Sequence, residues 1–501
     1  MKTIFELFTK AATTHPDKVL FERPGLSLIT YRDTSELAAQ FAGALATLGV
    51  EAGDRVAVQA DKSPEYIALY LGVLQLGAVF LPLNTAYTKS EIEFFLEDAT
   101  PRLFICDPMK ISDHACVKEG VLCETLGANG DGSLIDLAAQ GAPCREFYPS
   151  SINDPAAILY TSGTTGRSKG AILTHGNLAS NCAALLDSWQ FTSADRLIHA
   201  LPVFHTHGLF VAVNMTLAAG ATMIFLTQFD ADQIIDLMDE ATVLMGVPTF
   251  YSRLLQVDRL DRTRTSGMRL FVSGSAPLLA EEHKKFKDRT GHAILERYGM
   301  TETCMIATNP YGGERIPGAV GHPLPGIKLR IAASKSGEVL PVGETGVIEV
   351  KGPNVFAGYW KMPEKTAEEF RADGFFITGD LGMIGEDGYL RIVGREKDLI
   401  ISGGYNIYPK EIEEVIDARP GVMESAVIGV HHHDMGECPI AVVVPIKGCQ
   451  LDSETIIREL RGKIARFKVP RHVIIQEHLP RNVMGKVQKA ALRQKYAEIA
   501  K

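Results

Sequence analysis

Between the apolar runs Ala157 to Tyr160 and Ala171 to Thr174 lies the segment Tyr160-Thr-Ser-Gly-Thr-Thr-Gly-Arg-Ser-Lys-Gly170. Three glycines, five Ser or Thr hydroxyls beside Tyr160, and two cations fall within these eleven positions. The flanking runs predict strands, so the chain must turn here on residues that tolerate unusual backbone angles. Glycine frees backbone N–H groups to curl around anionic oxygens, the hydroxyls add donors, and Lys169 and Arg167 neutralise charge, a combination that suits a polyphosphate. The Gly-Lys-Ser/Thr order of the Walker loop is missing, which argues against a kinase or GTPase. A mobile surface loop is the competing interpretation, since that is the usual fate of a Gly- and Ser-rich stretch.

The rest of the chain has the composition of an ordinary globular protein large enough for two or more domains: 501 residues, 46% hydrophobic and 22% charged. A net charge of −9 without a block of like charge disfavours nucleic acid as a partner. Eight scattered cysteines without a Cys-x-x-Cys pair point to a reducing compartment, and hence to the cytoplasm. Glu6 interrupts the first apolar stretch, which therefore does not resemble a signal peptide, and no apolar run reaches the length of a membrane span.

Helix-like segments (Thr34 to Leu48, Pro64 to Gln75) alternate with β-rich runs (Arg55 to Val58, Leu103 to Cys106), which predicts α/β layers. From Ile327 to Val350 short strands separated by Gly and Pro predict a β-rich subdomain. Asp387-Gly-Tyr389 turns into a strand at Leu390 to Val393, and the polar cluster Gly394-Arg-Glu-Lys-Asp398 marks the main boundary. Beyond it a helix around Glu411 to Ile416, strands at Ser425 to Val430 and Ile440 to Pro445, and a helix from Ser453 to Ala465 predict a small α+β domain.

The loop is followed, in order, by Tyr298-Gly-Met-Thr-Glu302, Thr378-Gly-Asp380, Gly394-Arg395 and Asn482-x-x-Gly485-Lys486. In order and spacing these motifs resemble the adenylate-forming superfamily, which includes acyl-CoA synthetases, peptide-synthetase adenylation domains and luciferases. The resemblance covers nearly the whole chain. It implies a large N-terminal adenylation domain over residues 1–394, made of two α/β layers and the β-rich subdomain, a hinge over 395–398, and a small mobile α+β domain over 399–501. It also implies magnesium, ATP and coenzyme A as co-substrates, with no prosthetic group.

By the same resemblance Thr161, Ser162, Gly163, Thr164, Thr165 and Lys169 would hold the β- and γ-phosphates, Gly299 and Thr301 would border the α-phosphate, and Glu302 would bind magnesium. Tyr298 would border the adenine. Asp380 would take the ribose diol with help from Arg395, although a plain interdomain ion pair is the alternative for those two. Lys486 would bridge the acyl carboxylate and the α-phosphate during adenylation only, and is a candidate for acylation, which would abolish its charge. Lys397 matches the hinge, and Gly403 and Gly404 offer side-chain-free backbone for pantetheine, where a plain turn is the competing view.

Three segments, His199-Ala-Leu-Pro-Val-Phe-His-Thr-His-Gly208, Met245 to Arg253, and Glu296 to Glu302, resemble the malonate-activating branch most. A dicarboxylic acid needs a cation for its second carboxylate, and arginine is the best fork for it. Arg297, beside Tyr298, and Arg253, at the edge of the apolar arc of Phe250, Tyr251, Leu254, Leu255 and Val257, are the candidates. An edge arginine more often reaches solvent. His207 adds a donor near the acyl group. The expected activity is therefore the joining of malonate, or methylmalonate, to coenzyme A, with a short-chain or aryl acid ligase as the alternative within the family. A nucleotide-binding sensor with a dead site is the alternative class, disfavoured because Lys169, Glu302, Asp380 and Lys486 are all present. His431-His432-His433 is expected to be solvated rather than a zinc site, because consecutive histidines do not share a face.

Overall fold

Apolar strands that alternate with amphipathic helices bury both faces of a parallel sheet, and the first part of the chain builds such layers. The computed structural model describes residues 2–111, 121–161, 168–402, 405–432, 435–482 and 485–499, and three sheets form among them. The longest has thirteen strands. Its parallel part sets Val19–Glu22, Thr222–Phe225, Arg196–His199, Val243–Gly246, Leu270–Ser273 and Leu295–Met300 side by side. At Leu295–Met300 the pairing turns antiparallel and continues through Cys304–Thr308, Ala319–Pro323, Leu390–Arg395, Phe376–Ile384, Gly346–Lys351 and Lys328–Ala332. The β-rich region expected around residues 327–350 is present as antiparallel strands, and their hydrogen bonding continues the long sheet. Hairpins need only short turns, which the Gly and Pro spacers supply.

The second sheet orders Gly358–Tyr359, Lys169–Thr174, Pro155–Thr161, Val79–Pro82, Arg55–Gln59, Leu103–Cys106 and Leu122–Thr125. Its helices start where the sequence signals them. Tyr31–Thr47 is capped by Thr30 and Asp33 in a reciprocal capping box, and Pro64–Gln75 by Ser63 with proline in its first turn. Pro64–Gln75 is buried from Tyr66 through Gln75 because it packs between layers, which explains why it is apolar all round. Lys62 ties the two sheets together: its buried Nζ donates to the carbonyls of His199 (2.8 Å) and Leu226 (2.7 Å) and lies over the Phe225 ring.

Arg395 does not leave the long sheet. Gly394 and Arg395 end the strand Leu390–Arg395 instead of opening the polar linker, and a 3₁₀ turn, Glu396–Asp398, follows. Beyond it a five-stranded sheet carries Tyr405–Ile407, Ile400–Ser402, Gly436–Pro445 and Val422–His432, with His472–Ile475 parallel to Gly436–Pro445. Helix Pro409–Asp417 turns Ile412 and Ile416 into this unit's core. Helix Ser453–Arg461 stops at Gly462, four residues short of the expected Ala465. His431 is exposed, whereas His432, on the opposite strand face, is buried with its Nε2 2.7 Å from Arg471, so the expectation of a fully solvated histidine run fails at His432; His433 lies outside the described residues. Among the described residues no helix is long and apolar enough to cross a membrane, and no three His, Cys, Asp or Glu side chains are grouped to hold a metal.

Candidate functional site

The strands Leu270–Ser273 and Leu295–Met300 run parallel, and the chain segments at their carboxyl ends converge on one region. Ligand sites of open α/β sheets form at such edges. One side of the region is the carboxylate of Asp380. Tyr298 Oη donates to its Oδ2 at 2.6 Å, and the Arg395 Nε lies 3.0 Å from its Oδ1. Asp380 and Arg395 face each other across adjacent antiparallel strands, so their pairing is internal to the long sheet and not an interdomain bridge. Burial, then the charge of Asp380, raises the Tyr298 phenol far above its ordinary value, and Asp380 likewise raises Arg395. Gly379, with φ +69°, has no atom near the place a Cβ would take, which leaves the backbone beside Asp380 bare.

A second side holds Lys169 and Glu302. Thr161 ends one strand opposite Lys169, which opens the next; Ser162, Gly163, Thr164 and Thr165 lie outside the described residues. Lys169 is buried, with its Nζ 3.4 Å from Glu369 and 4.1 Å from the centre of the Tyr359 ring. Glu302 sits in the 3₁₀ turn Thr301–Thr303 and accepts from Tyr359 Oη at 3.0 Å. Burial raises its carboxyl above the usual range, while Tyr359 and Lys169 pull it back. That turn is tight: a Cβ on Gly299 would lie 2.0 Å from the Cys304 carbonyl, so glycine is required where the strand doubles back.

The third side is cationic. Arg297 is 4% exposed, and among the described residues its guanidinium has one hydrogen bond, from Nη2 to Ser275 Oγ at 3.3 Å, while its Nε has no partner. Burial pushes it down to about 9, with Tyr251 opposing that shift. It lies flat on Gly274, where a Cβ would come within 2.4 Å of the guanidinium. Ser275, at the left-handed φ of +71°, also faces His207 Nδ1 at 3.4 Å. Burial and the neighbouring Arg297 hold His207 well below its ordinary value, and its Nε2 has no partner. His205 is pushed down to about 3 by burial, then by Lys486 and Arg297. Both imidazoles are therefore neutral at pH 7, and the cations that act on them are Arg297 and, on His205, Lys486. Arg253 does not turn inward with Arg297. On helix Pro248–Leu254 it is exposed, its guanidinium over the Phe229 ring, one turn beyond Thr249.

Lys486 reaches the region from the small unit. Gly485, at φ +72°, and the Asn482 side chain, which accepts from the Lys486 N–H at 3.0 Å, shape its loop, and Gly485 lies against Thr249. Burial and Arg395 lower the Lys486 amine, and Asp380, Arg297 and Glu302 also act on it, so it lies amid all three sides. Lys397 stands in the turn Glu396–Asp398, lowered by burial and Arg395. On one side of it Arg395 is held to Asp380, and on the other Asp398 is held to Arg493 at 2.5 Å. Gly403 and Gly404 lie outside the described residues.

Three contributors have no sequence motif of their own: Gly274 and Ser275, in the turn after a buried strand, and Tyr359, on a two-residue edge strand. The nearest signal was the Gly-Ser pair itself, which marks a turn without saying what lies against it.

A family model described as AMP-binding enzyme matches residues 8–360, and one described as AMP-binding enzyme C-terminal domain matches 411–486. A feruloyl-CoA synthase of an Amycolatopsis species is 37% identical over 95% of each chain, and a malonate–CoA ligase of Arabidopsis thaliana is 35% identical over 88% of this chain and 78% of its own. The ATP-bound crystal structure of MatB from Rhodopseudomonas palustris, 55% identical over the full length of both chains, superposes with a TM-score of 0.97, and the apo structure, at the same identity and coverage, with 0.85. Sequence is equal in that pair of comparisons, so the difference is one of arrangement: this chain is arranged as the ATP-bound form is.

Proposed function

The chain belongs to the AMP-binding enzyme family, and from that premise we propose that it is an AMP-forming acid–thiol ligase that joins malonate, and methylmalonate where the extra methyl fits, to coenzyme A. The observation that carries the choice of acid is Arg297, a buried guanidinium without a carboxylate partner among the described residues. A buried cation left unpaired is costly, and an anionic group of the substrate relieves that cost.

In this reading the reacting carboxylate of malonate attacks the α-phosphorus of ATP, the bond to pyrophosphate breaks, and malonyl-adenylate forms. Asp380 holds the ribose diol, Tyr298 borders the adenine, Thr161, Lys169 and the loop between them hold the departing phosphates, and Thr301 the α-phosphate. Lys486 sits between carboxylate and phosphate, where negative charge is concentrated in the transition state. Magnesium, implied by the family, suits Glu302: a single buried carboxylate matches an ion that takes one or two protein oxygens and fills its shell with phosphate and water. When bound it would neutralise charge on the polyphosphate. Arg297, with Ser275 and neutral His207, holds the distal carboxylate, and Arg253 stands farther out as a cation that attracts the acid without fixing it.

The thiol of coenzyme A then attacks the acyl carbon and AMP leaves. Lys486 stands where that thiol must approach, so residues 399–501 turn against 1–394 about a hinge at 395–398. With Arg395 tied to Asp380 and Asp398 to Arg493, the turning point is at Lys397. Gly403 and Gly404 are proposed to line the pantetheine path, and free coenzyme A is the acceptor. We place this activity in the reducing cytoplasm, on the scattered cysteine spacing of the sequence.

An aryl acid is the second reading, favoured by the likeness to a feruloyl-CoA synthase. A buried guanidinium disfavours an apolar ring, since the site would then hold an unpaired charge. Pyrophosphate release with ATP, magnesium and coenzyme A is expected to be fastest with malonate among malonate, succinate, acetate and 4-coumarate, with malonyl-CoA identified by mass. A lead for 4-coumarate or acetate would keep the family and reject malonate.

A further inference from the structure

One short segment, Phe356 to Trp360, is hydrogen-bonded to both halves of the phosphate side. The Phe356 N–H donates to the carbonyl of Glu302 at 2.8 Å, and the Trp360 N–H to the carbonyl of Gly170, beside Lys169, at 2.7 Å. Between them Gly358 and Tyr359 pair with Ile172 and Ala171. The backbone has little room to move, because the Tyr359 N–H is held by Thr366 Oγ1 at 2.9 Å and Gly358, at φ +139°, passes so near Thr366 that a Cβ would lie 2.8 Å from it.

This fixed backbone sends one side chain between the two charges. The Tyr359 ring takes Lys169 Nζ on its face at 4.1 Å, and its hydroxyl donates to Glu302 Oε1 at 3.0 Å. Phe356 packs edge-on against the ring at 4.8 Å, and Tyr359 is buried. A buried lysine and a buried glutamate in one pocket would otherwise relieve their desolvation by pairing, which would leave neither for a ligand. Here the carboxylate within ion-pair distance of Lys169 is Glu369, at 3.4 Å, and not Glu302.

We propose that Tyr359 is a positioning residue of the nucleotide site: standing between Lys169 and Glu302, it keeps these two from pairing with each other, so that phosphate need displace only the more exposed Glu369 from the lysine, and it turns Glu302 toward the metal of a metal–ATP complex. The proposal rests on the adenylation reading above. The ring and the hydroxyl have separable duties, one to the lysine and one to the carboxylate.

Binding of ATP to the full-length enzyme, measured by calorimetry with and without Mn²⁺, separates them, and electron paramagnetic resonance counts the bound Mn²⁺. Tyr359→Phe is expected to weaken Mn²⁺–ATP binding about tenfold, the scale of losing a partner that orients a metal ligand, and to leave metal-free ATP unchanged. Tyr359→Leu is expected to weaken metal-free ATP as well. Adding Tyr359→Phe to Glu302→Gln is expected to cost no further Mn²⁺ affinity, because the hydroxyl acts through that carboxylate. Equal Mn²⁺–ATP binding by Tyr359→Phe and the wild type, or additive losses in the double variant, would overturn the proposal while leaving the adenylation reading intact. A wild-type enzyme that binds no ATP would overturn both. Matched thermal unfolding of Tyr359→Phe and wild type shows that the comparison is made on folded protein.

Discussion

Glu302, in the 3₁₀ turn Thr301–Thr303, and Arg297, in the strand that leads into it, are both buried, and they are treated in opposite ways. Glu302 has Tyr359 on one oxygen and Lys169 near by, so its charge is supported before any ligand arrives. Arg297 has a single hydroxyl and an orphaned Nε. A supported charge is a part of the scaffold that a ligand joins, whereas an unsupported one is completed by the ligand, and so selects it. Asp417 shows why burial alone is not enough to make that argument. Its Oδ1 also lacks a partner, but its carboxyl is pushed up from 3.8 to about 7, so it escapes the cost by keeping its proton near neutrality. Arg297, at about 9, keeps its charge at pH 7 and needs an anion.

The largest effect is expected where both charges meet the reacting group. Lys486→Ala should slow adenylation by about a thousandfold or more, read as ATP–pyrophosphate exchange, while thioester formation from preformed malonyl-adenylate persists. An equal loss in both half-reactions would assign Lys486 to general architecture instead of the bridge between the two sides. A smaller effect tests how Arg297 is seated. In Gly274→Ala the new methyl would meet the guanidinium at 2.4 Å, so the fork must shift, and malonate KM is expected to rise about 10- to 100-fold with ATP KM unchanged. Loss of ATP affinity in that variant would mean that the two sides are not independent.

The smallest effect comes from the charge that can neutralise itself. Because the folded carboxyl of Asp417 is raised, the native state holds its proton more tightly than the unfolded chain, and stability falls as pH rises from 3.8 toward about 7, after which the full cost is present. Asp417→Asn should therefore stabilise the protein by about 1–2 kcal/mol above about pH 8, a figure reduced for partial exposure, and by nothing near or below the ordinary aspartate value. Unfolding transitions at both ends of that range, with malonate activity unaltered, are the check.

What the sequence discloses of this site depends on how local each requirement is. The Gly299 turn and the Asp380 strand carry residue types that their own backbone or chemistry demands, and so are legible in order along the chain. Arg253 and Arg297 were not separable that way. Helical period puts Arg253 at the edge of an apolar arc, and an edge position is settled by a distant neighbour, here the Phe229 ring. Gly274, Ser275 and Tyr359 meet the site through partners more than twenty residues away, on other elements of the fold. Topology shows the same limit. The strands at Lys328–Ala332 and Gly346–Lys351 are readable as strands, but their continuity with the parallel sheet lies in pairings that no single segment encodes.

Substitution of Arg297 by Met, which keeps the bulk and removes the charge, tests most directly whether Arg297 selects the acid as proposed, in adenylate formation with malonate and with butyrate. Arg297→Met is expected to lower kcat/KM for malonate by about 10²- to 10³-fold, the loss of a buried charged pair, while that for butyrate rises or holds, so that the preference collapses or inverts. Equal losses with both acids, or an undiminished preference for malonate, would contradict it.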